Sequence, residues 1–291
     1  MSNAPPSTTS TSVPEIRGIP EGLPEKSEIK RILFSPITDL PQDAKDPILM
    51  EFSHPTRHRA TLSKIALNSE TGFEVLLVPT GDTGNSSVIA LARDWVDAPE
   101  SSANSLMLTL HGAVVLWRSG RSAILANPER MDSVLDALME FSFYELHLRK
   151  MEGEVGAGWI QLEQDSPLAF DFTDTGLSQR SDLKNRFKRA ISLRGQLARV
   201  TPQIHHPPVY PPTLRSQVAE RLRERTRLTE RLEFLGGQLE VFERVYEMCG
   251  QRASEFSLAR KGHTLEMILI LLLALQTLFL IFDLLSATGT K

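Results

Sequence analysis

The sequence predicts an α+β fold, in which an N-terminal, antiparallel-rich sheet with a packed helix precedes long helices and one C-terminal transmembrane helix. Three features predict it: short apolar segments rich in β-branched residues, then a charged helical region, then one nearly pure apolar run. The corresponding regions are a disordered tail, 1–28; an α+β head, 29–175; a basic, amphipathic helical region, 180–263; and a transmembrane helix, 264–286. A ferredoxin-like arrangement is one form that the head can take.

Composition narrows the class of protein. The chain has 291 residues, 41% of them hydrophobic, and a net charge of −4. The single cysteine, Cys249, excludes a disulfide scaffold and a multi-cysteine metal domain. A polytopic membrane protein needs a far larger apolar fraction. The tail is rich in Pro, Ser and Thr, has no apolar period and shows no targeting signal, so we expect it to be disordered.

The strands of the head are predicted from β-branched, apolar segments bounded by turn residues. These segments are 73–79, 88–93 and 106–117. A loop at 81–87 separates the first two, and Ser119 and Gly120 end the third. A strand-rich head of this kind buries at least one face of its sheet.

A helix follows the strands. Asn127 and Pro128 are typical of an N-cap and a first helical residue, and apolar residues then keep helical spacing to about Leu146. We expect a final hairpin from segments 159–162 and 168–172. The helix then covers one face of the sheet.

From residue 182 the chain becomes helical and charged. Its basic residues form a candidate partner-binding patch, Lys184, Arg186, Lys188, Arg189, Arg194 and Arg199. The patch can face anionic lipid, the RNA of a ribosome or solvent alone. Phe187 is the only aromatic residue in this stretch, so base stacking is not supported.

The rest of the helical region is predicted to lead to the membrane. We expect a break at Pro202 and one long helix from Thr213 onward. Its apolar residues recur at steps of three and four, which suits a coiled-coil stalk that self-associates or a helix that packs on its own head. Both alternatives remain open.

The apolar run 267–285 is interrupted only by Gln276, Thr277 and Asp283. Nineteen residues make about 28 Å of helix, close to the roughly 30 Å hydrocarbon thickness of a bilayer. Gln276 lies at mid-span, where it is either a hydrogen-bonding point for self-association or a tolerated amide. Asp283 lies near the far interface, where water reaches it.

The flanking charges predict an orientation. Basic residues precede the run, whereas only Lys291 follows it, so we expect a single-pass, tail-anchored protein with its N-terminal bulk on the cytoplasmic or equivalent inner side. His263, Arg260 and Lys261 mark the predicted membrane interface. There His263 either binds a lipid headgroup or responds to pH, or it only anchors the helix end.

Two stretches resemble a known family. Segment 108–117, Leu-Thr-Leu-His-Gly-Ala-Val-Val-Leu-Trp, followed by a helix around 140–146, is similar to a strand ending in Val-Val-Phe-Trp and the acidic helix of the required-for-meiotic-nuclear-division family. The ending, with His263-Thr-Leu-Glu before the apolar run, resembles that family's His-x-Leu-Glu-Trp-type junction and terminal membrane helix. The similarity covers roughly 105–285. It implies a membrane-tethered, oligomeric protein that supports translation, as mitochondrial members do at the inner membrane.

No pattern assembles a catalytic site, and we expect no cofactor and no metal. His54 and His58 lack a third ligand nearby, and His205 and His206 share that weakness. The loop 81–87 lacks the Lys of a phosphate-binding loop, and Cys249 falls on an apolar helical stripe.

Two functions from different classes therefore compete. The first is a non-enzymatic, membrane-anchored scaffold that binds lipid, self-associates and recruits a partner, with ribosome or RNA contact through the basic helices. The alternative is a membrane-tethered enzyme acting on a phosphorylated or lipidic substrate, which needs a cleft that gathers groups such as His111 and Asp94. No small-molecule substrate is identifiable from the sequence.

Overall fold

The computed structural model describes residues 18–37, 47–64, 71–97, 105–205 and 211–288. The predicted disordered tail, 1–28, lies outside the described residues as far as residue 17. The predicted α+β class is confirmed, with one sheet followed by long helices. Its strands are β1 (Glu28–Pro36), β2 (Ile48–Phe52), β3 (His58–Leu62), β4 (Gly72–Pro79), β5 (Leu106–Leu110), β6 (Ala113–Arg118) and β7 (Arg121–Ala126). Its helices are α1 (Ser86–Asp97), α2 (Pro128–Asp165), α3 (Asp174–Ser178), α4 (Arg180–Ile204), α5 (Leu214–Arg225) and α6 (Leu228–Thr288).

The seven strands form one sheet in the order β2-β3-β1-β4-β7-β6-β5. Only the β4–β7 pair is parallel among the strand pairs of the described residues, so the sheet is antiparallel-rich, as predicted. It is larger than a ferredoxin-like sheet. The predicted strand 106–117 is two strands, because His111 and Gly112 adopt positive φ values of 47° and 71° and turn the chain. The predicted turn at Ser119 and Gly120 joins β6 to β7.

Segment 88–93, predicted as a strand, lies inside α1. Trp95 and Val96 of this helix pack on Leu76 and Leu116, which face one side of the sheet. The segment resembles a strand because its short apolar run is compatible with either structure. A helix therefore covers the second face of the sheet as well, for which the sequence predicted no covering element.

The opposite face of the sheet packs on α2. The Trp117 ring lies 5.0 Å from Phe141, and its indole N–H donates to the Ser142 hydroxyl at 3.4 Å. Phe143 stacks on Phe52 at a centroid distance of 3.9 Å. Since side chains alternate along a strand, the central strand β4 is buried on both faces.

Two helices end later than the sequence predicts. The helix α2 begins at Pro128, as predicted, but continues to Asp165, so the expected hairpin over 159–162 and 168–172 is helix followed by a 3-10 turn. The helix α4 runs through Pro202 and ends two residues later, because a proline in the last turn removes only one hydrogen bond.

The long helix expected from Thr213 is two helices. Thr213 does cap α5, in a reciprocal pair of hydrogen bonds with Ser216. Arg227, at a φ of 50°, then separates α5 from α6. A non-glycine residue in this left-handed region cannot continue a helix.

The chain divides into two compact units. Unit 1 comprises Met1–Gly153 and Gly195–Leu235, and unit 2 comprises Glu154–Arg194 and Gly236–Lys291. Unit 1 contains a buried ionic network in which Arg149 and Arg231 contact the Glu145 carboxylate at 2.6 Å and 3.4 Å. Arg231 also donates two hydrogen bonds to Glu152, which raise the pKa of its guanidinium.

Candidate membrane anchor and interaction surfaces

The core of unit 2 is formed by the C-terminal part of α2, the N-terminal part of α4 and the part of α6 that precedes the apolar run. One side of α6 is buried at alternating steps of three and four residues, at Leu239, Phe242, Tyr246, Cys249 and Ala253. The Phe242 ring meets Trp159 at a centroid distance of 5.0 Å. A Cβ on Gly158 would lie 2.8 Å from the same ring, so only glycine permits this approach of α2 to α6.

A buried carboxylate ties these helices together. Asp165, whose side chain is 3% exposed, accepts hydrogen bonds from Arg186 at 2.6 Å and from Gln161 at 3.2 Å. Burial, together with the charge of Asp165, raises the pKa of the Tyr246 phenol and raises that of the Cys249 thiol to about 11. Cys249 is therefore a protonated, buried core residue, as the apolar stripe predicts, and not a nucleophile.

The segment 166–179 joins α2 to α4 and lies beside α6 just before the apolar run. The Phe172 ring lies 5.9 Å from Phe256, and the Asp174 carboxylate accepts a hydrogen bond from Arg260 at 2.8 Å. Within this segment Phe170 is 71% exposed. We call residues 166–179 the connecting segment.

The predicted interface residues lie on the last turns of α6 before the apolar run. Arg260, Lys261 and His263 are exposed, and Arg260 is held by Asp174. The Nδ1 atom of His263 lies 3.8 Å from the Glu266 carboxylate, one turn further on. These three residues lie within one turn of α6, before the apolar run.

The apolar part of α6 contains an eighteen-residue stretch with a mean hydropathy of 2.3, and none of it is buried. By length and composition α6 can cross a membrane, which fits a single-pass membrane protein. Gln276 is exposed there, between Leu272 and Phe279 along a shallow groove. The side chain of Asp283 lies outside the described residues.

The six residues of the predicted basic patch are divided between the two units. In unit 2, Arg189 pairs with Glu154 at 3.0 Å, and Arg194 donates to the backbone carbonyl of Gly236 at 2.7 Å. Since Arg186 also binds Asp165, three of the guanidinium groups of the patch hold the helices of unit 2 together. Lys184 and Lys188 are exposed on the same face of α4, and Arg199 belongs to unit 1.

The His58 ring and the loop 81–87 take structural roles. Within the described residues, no group of three potential ligands is placed to hold a metal ion. The His58 ring packs on Phe143 at 5.4 Å and on His147 at 5.2 Å. In the loop, Asn85 accepts from the Ser87 amide at 3.1 Å at the start of α1. His205 is exposed, and His206 lies outside the described residues.

The groups named for an enzymatic cleft lie on different elements. Asp94 is exposed on α1, whereas His111 is exposed at the β5–β6 turn, where its Nε2 lies 2.6 Å from the Gln217 amide oxygen. Asp97, the last residue of α1, accepts a hydrogen bond from the Ser105 backbone amide at 2.7 Å. These residues make no shared site.

A polar cavity of about 350 Å³ opens elsewhere in unit 1, beside Glu51, His54 and Tyr144. Its Arg215 is already held by Glu140 at 2.8 Å, and burial raises the pKa of Tyr144 to about 12. The arrangement supplies a satisfied ion pair and a neutral phenol.

The sequence did not reveal the buried contacts of Asp165 with Arg186 and Gln161, nor the connecting segment. The sequence signal for the segment is a pair of aromatic residues, Phe170 and Phe172, between two helical patterns.

No family model and no curated protein matches the chain. A solved structure described as the full-length CmaX protein is 15% identical to it, with a TM-score of 0.36. The match covers 83% of this chain and 81% of that one. At that score the likeness carries no conclusion about fold or function.

Proposed function

We propose that this protein is a membrane-anchored, non-enzymatic scaffold that self-associates and recruits a partner to the membrane. The observation that carries the proposal is the continuity of α6. This single helix forms part of the core of unit 2 and then continues as an apolar stretch that nothing in the described chain covers. Because apolar surface of that length is unfavourable in water, a bilayer is the environment that suits it.

A second stripe on α6 supports self-association. Val241 is 45% exposed, while Val245 and Met248 are half-buried, and all three lie one position away from the stripe that is buried in unit 2. Seven-residue steps from Val241 lead through Met248, Glu255, Gly262 and Leu269 to Gln276. At the charged step Glu255 is exposed and pairs with Arg252 of its own helix at 2.8 Å. A left-handed supercoil keeps such positions on one seam, so one parallel contact can run from the stalk into the membrane.

Gln276 gives this seam a polar point inside the bilayer. Lipid cannot satisfy a side-chain amide, whereas a second copy in the same orientation places another Gln276 opposite it. Copies anchored in one membrane share their orientation, which makes the parallel pairing natural. Interhelical hydrogen bonds of this kind contribute about 1 kcal/mol.

The test is the oligomeric state of the full chain in density-matched detergent, measured by sedimentation. Gln276→Leu is expected to weaken association roughly fivefold, which corresponds to about 1 kcal/mol. Thr277→Val is the matched control, because the Thr277 hydroxyl already donates to the Ala274 carbonyl of its own helix at 2.8 Å. A wild-type chain that stays strictly monomeric at all concentrations contradicts self-association.

Partner recruitment is assigned to the exposed face of α4. Lys184 and Lys188 present two ammonium groups one helical turn apart, which suits phosphate groups. The family resemblance adds the translation machinery as the class of partner, through ribosomal RNA. Co-purification after mild solubilisation, with and without Lys184→Gln and Lys188→Gln, tests this part of the proposal.

A further inference from the structure

We propose that the two compact units are joined by a hinge, formed by glycines at the three points where the chain passes from one unit to the other. The chain crosses between Gly153 and Glu154, between Arg194 and Gly195, and between Leu235 and Gly236. These crossing points lie inside α2, α4 and α6, so each connection is a helix. The inference goes beyond the proposed scaffold role and does not depend on a bilayer.

A glycine stands at every one of the crossing points. Glycine makes up only 17 of the 291 residues, so composition does not account for a glycine at all three. In α6 the glycine is doubled, as Gly236 and Gly237. In the interior of a helix glycine is unfavourable relative to alanine, because it loses more backbone freedom and leaves the backbone open to water. The position of these glycines therefore requires a physical reason.

Close packing explains a different glycine in the same helices. A Cβ on Gly158 would lie 2.8 Å from the Phe242 ring, so space is what Gly158 provides. Among the described residues, a Cβ on Gly153, Gly195 or Gly237 would meet no atom within 4 Å outside its own stretch of helix, and all three are exposed. Since alanine would fit at each of them, these glycines supply backbone freedom and not space.

Polar contacts hold the helices of each unit together close to the crossing points. In unit 1, Glu152 accepts two hydrogen bonds from Arg231, at 2.9 Å and 2.6 Å. In unit 2, Glu154 pairs with Arg189 at 3.0 Å. The two carboxylates on either side of Gly153 thus belong to different units, and each is held within its own. Bending costs least at the glycine between them.

A joint made of three helices bends only where all three yield at the same level. The hydrogen bond from Arg194 to the Gly236 carbonyl, at 2.7 Å, joins the last residue of α4 in unit 2 to the first residue of α6 in that unit. Arg231, which binds Glu152 beside the crossing in α2, precedes the crossing in α6 by about one turn. The three crossing points therefore lie near one level, as a hinge requires.

Such a hinge has a mechanical consequence. The sheet of unit 1 can change its angle to the apolar part of α6 while both units keep their own cores. Hinge motions of this kind occur on the microsecond to millisecond timescale. A scaffold with this freedom can engage a partner in more than one orientation.

The experiment measures distances between pairs of spin labels in the full chain, in detergent and diluted with unlabelled chain, so that each distance lies within one molecule. Ile48→Cys with Leu258→Cys joins the two units. Two further pairs report the spread within single units: Ile48→Cys with Met107→Cys in unit 1, and Ile160→Cys with Leu258→Cys in unit 2. Cys249 is retained, because it is fully buried and the pKa of its thiol is raised to about 11, and the chain without added cysteines measures background labelling.

Alanine at the crossing points should stiffen the joint. The test variant carries Gly153→Ala, Gly195→Ala and Gly237→Ala, three changes that raise helix propensity without a clash. The matched control carries Gly250→Ala and Gly262→Ala. These are also exposed glycines inside α6 whose Cβ would meet no described atom within 4 Å, but they lie 13 and 25 residues after Gly237.

We expect the distances between positions 48 and 258 to be about twice as broadly distributed as those within either unit, and the test variant to remove most of that excess. The control variant should leave the distribution unchanged. A wild-type distribution between the units that is no broader than those within them overturns the hinge. Equal narrowing in the test and control variants also overturns it, as does a test variant whose distribution stays as broad as that of the wild type.

Discussion

His147 on α2 is a buried histidine whose environment disfavours its charged form. Its pKa is lowered from 6.5 to about 4, mainly by burial. A hydrogen bond to the Phe143 carbonyl at 2.9 Å opposes the shift, and the neighbouring charges of His58 and Lys150 add to it. The ring lies 4.3 Å from Phe143 and fills part of the aromatic core. Unit 1 therefore contains a neutral histidine at pH 7.

This histidine predicts a pH dependence of stability. Between pH 6.5 and about 4, His147 binds a proton in the unfolded chain but stays neutral in the folded chain. The contribution of neutral His147 to the free energy of unfolding is therefore complete above pH 6.5 and decreases as the pH falls. The full loss is at most about 3 kcal/mol. Thermal unfolding of the wild type and His147→Gln, compared from pH 7 to pH 4, measures it.

The difference between the two proteins isolates His147 from the carboxylates, which titrate in both. His263→Gln is the control, because His263 is exposed on α6 before the apolar run and its replacement should leave the slope unchanged. An identical pH dependence in the wild type and His147→Gln contradicts the assignment.

At this scale the sequence indicated which residues carry charge but not which ones meet. Glu145 and Arg231 are 86 residues apart, and Asp165 reaches Tyr246 across a similar separation. Helical periodicity marks a carboxylate as lying near a buried stripe, yet a long-range ion pair depends on how the helices pack. Cys249 could be assigned to the core because its own stripe is apolar on either side.

At the scale of elements, prediction succeeded where the pattern was long and failed where it was short. The start of α2, the cap of α5 and the apolar end of α6 each follow from several residues that agree. The short segment now in α1 and the end of α2 do not, since four to six apolar residues are compatible with either helix or strand. The break between α5 and α6 at Arg227 was not predicted, because no glycine or proline lies beside that residue.

The two stripes of α6 predict opposite effects of two adjacent substitutions. Phe242→Ala removes a ring that is 7% exposed and contacts Trp159, so we expect unit 2 to lose about 3–5 kcal/mol of stability. Val241→Ala, at a site that is 45% exposed, should cost less than about 0.5 kcal/mol in stability while weakening self-association.

Thermal unfolding and sedimentation of the same two preparations separate these effects. Loss of stability without loss of association in Val241→Ala would assign position 241 to the core and leave the second stripe without a partner.

For the molecule as a whole, the uneven distribution of apolar and charged residues identifies one candidate membrane-spanning helix that the average composition conceals. Arg252 pairs with Glu255 and Arg260 with Asp174, so these two cations contribute little net charge before the apolar run. Topology nevertheless follows the number of Lys and Arg residues near a span, and acidic neighbours have little influence. These ion pairs therefore do not change the proposed orientation, in which the N-terminal bulk lies on the cytoplasmic or equivalent inner side.

Cysteine accessibility in sealed vesicles of known orientation tests the proposed sidedness. Leu258, 74% exposed and just before Arg260, should react as Leu258→Cys with an impermeant maleimide only from the inner face. Lys291→Cys should react only from the opposite face, because about 30 Å of hydrocarbon separates the two flanks of the span. Permeabilised vesicles give the full labelling of both positions. Reaction of position 258 from the outer face reverses the orientation, and reaction of both positions from the same face means that α6 does not cross the membrane.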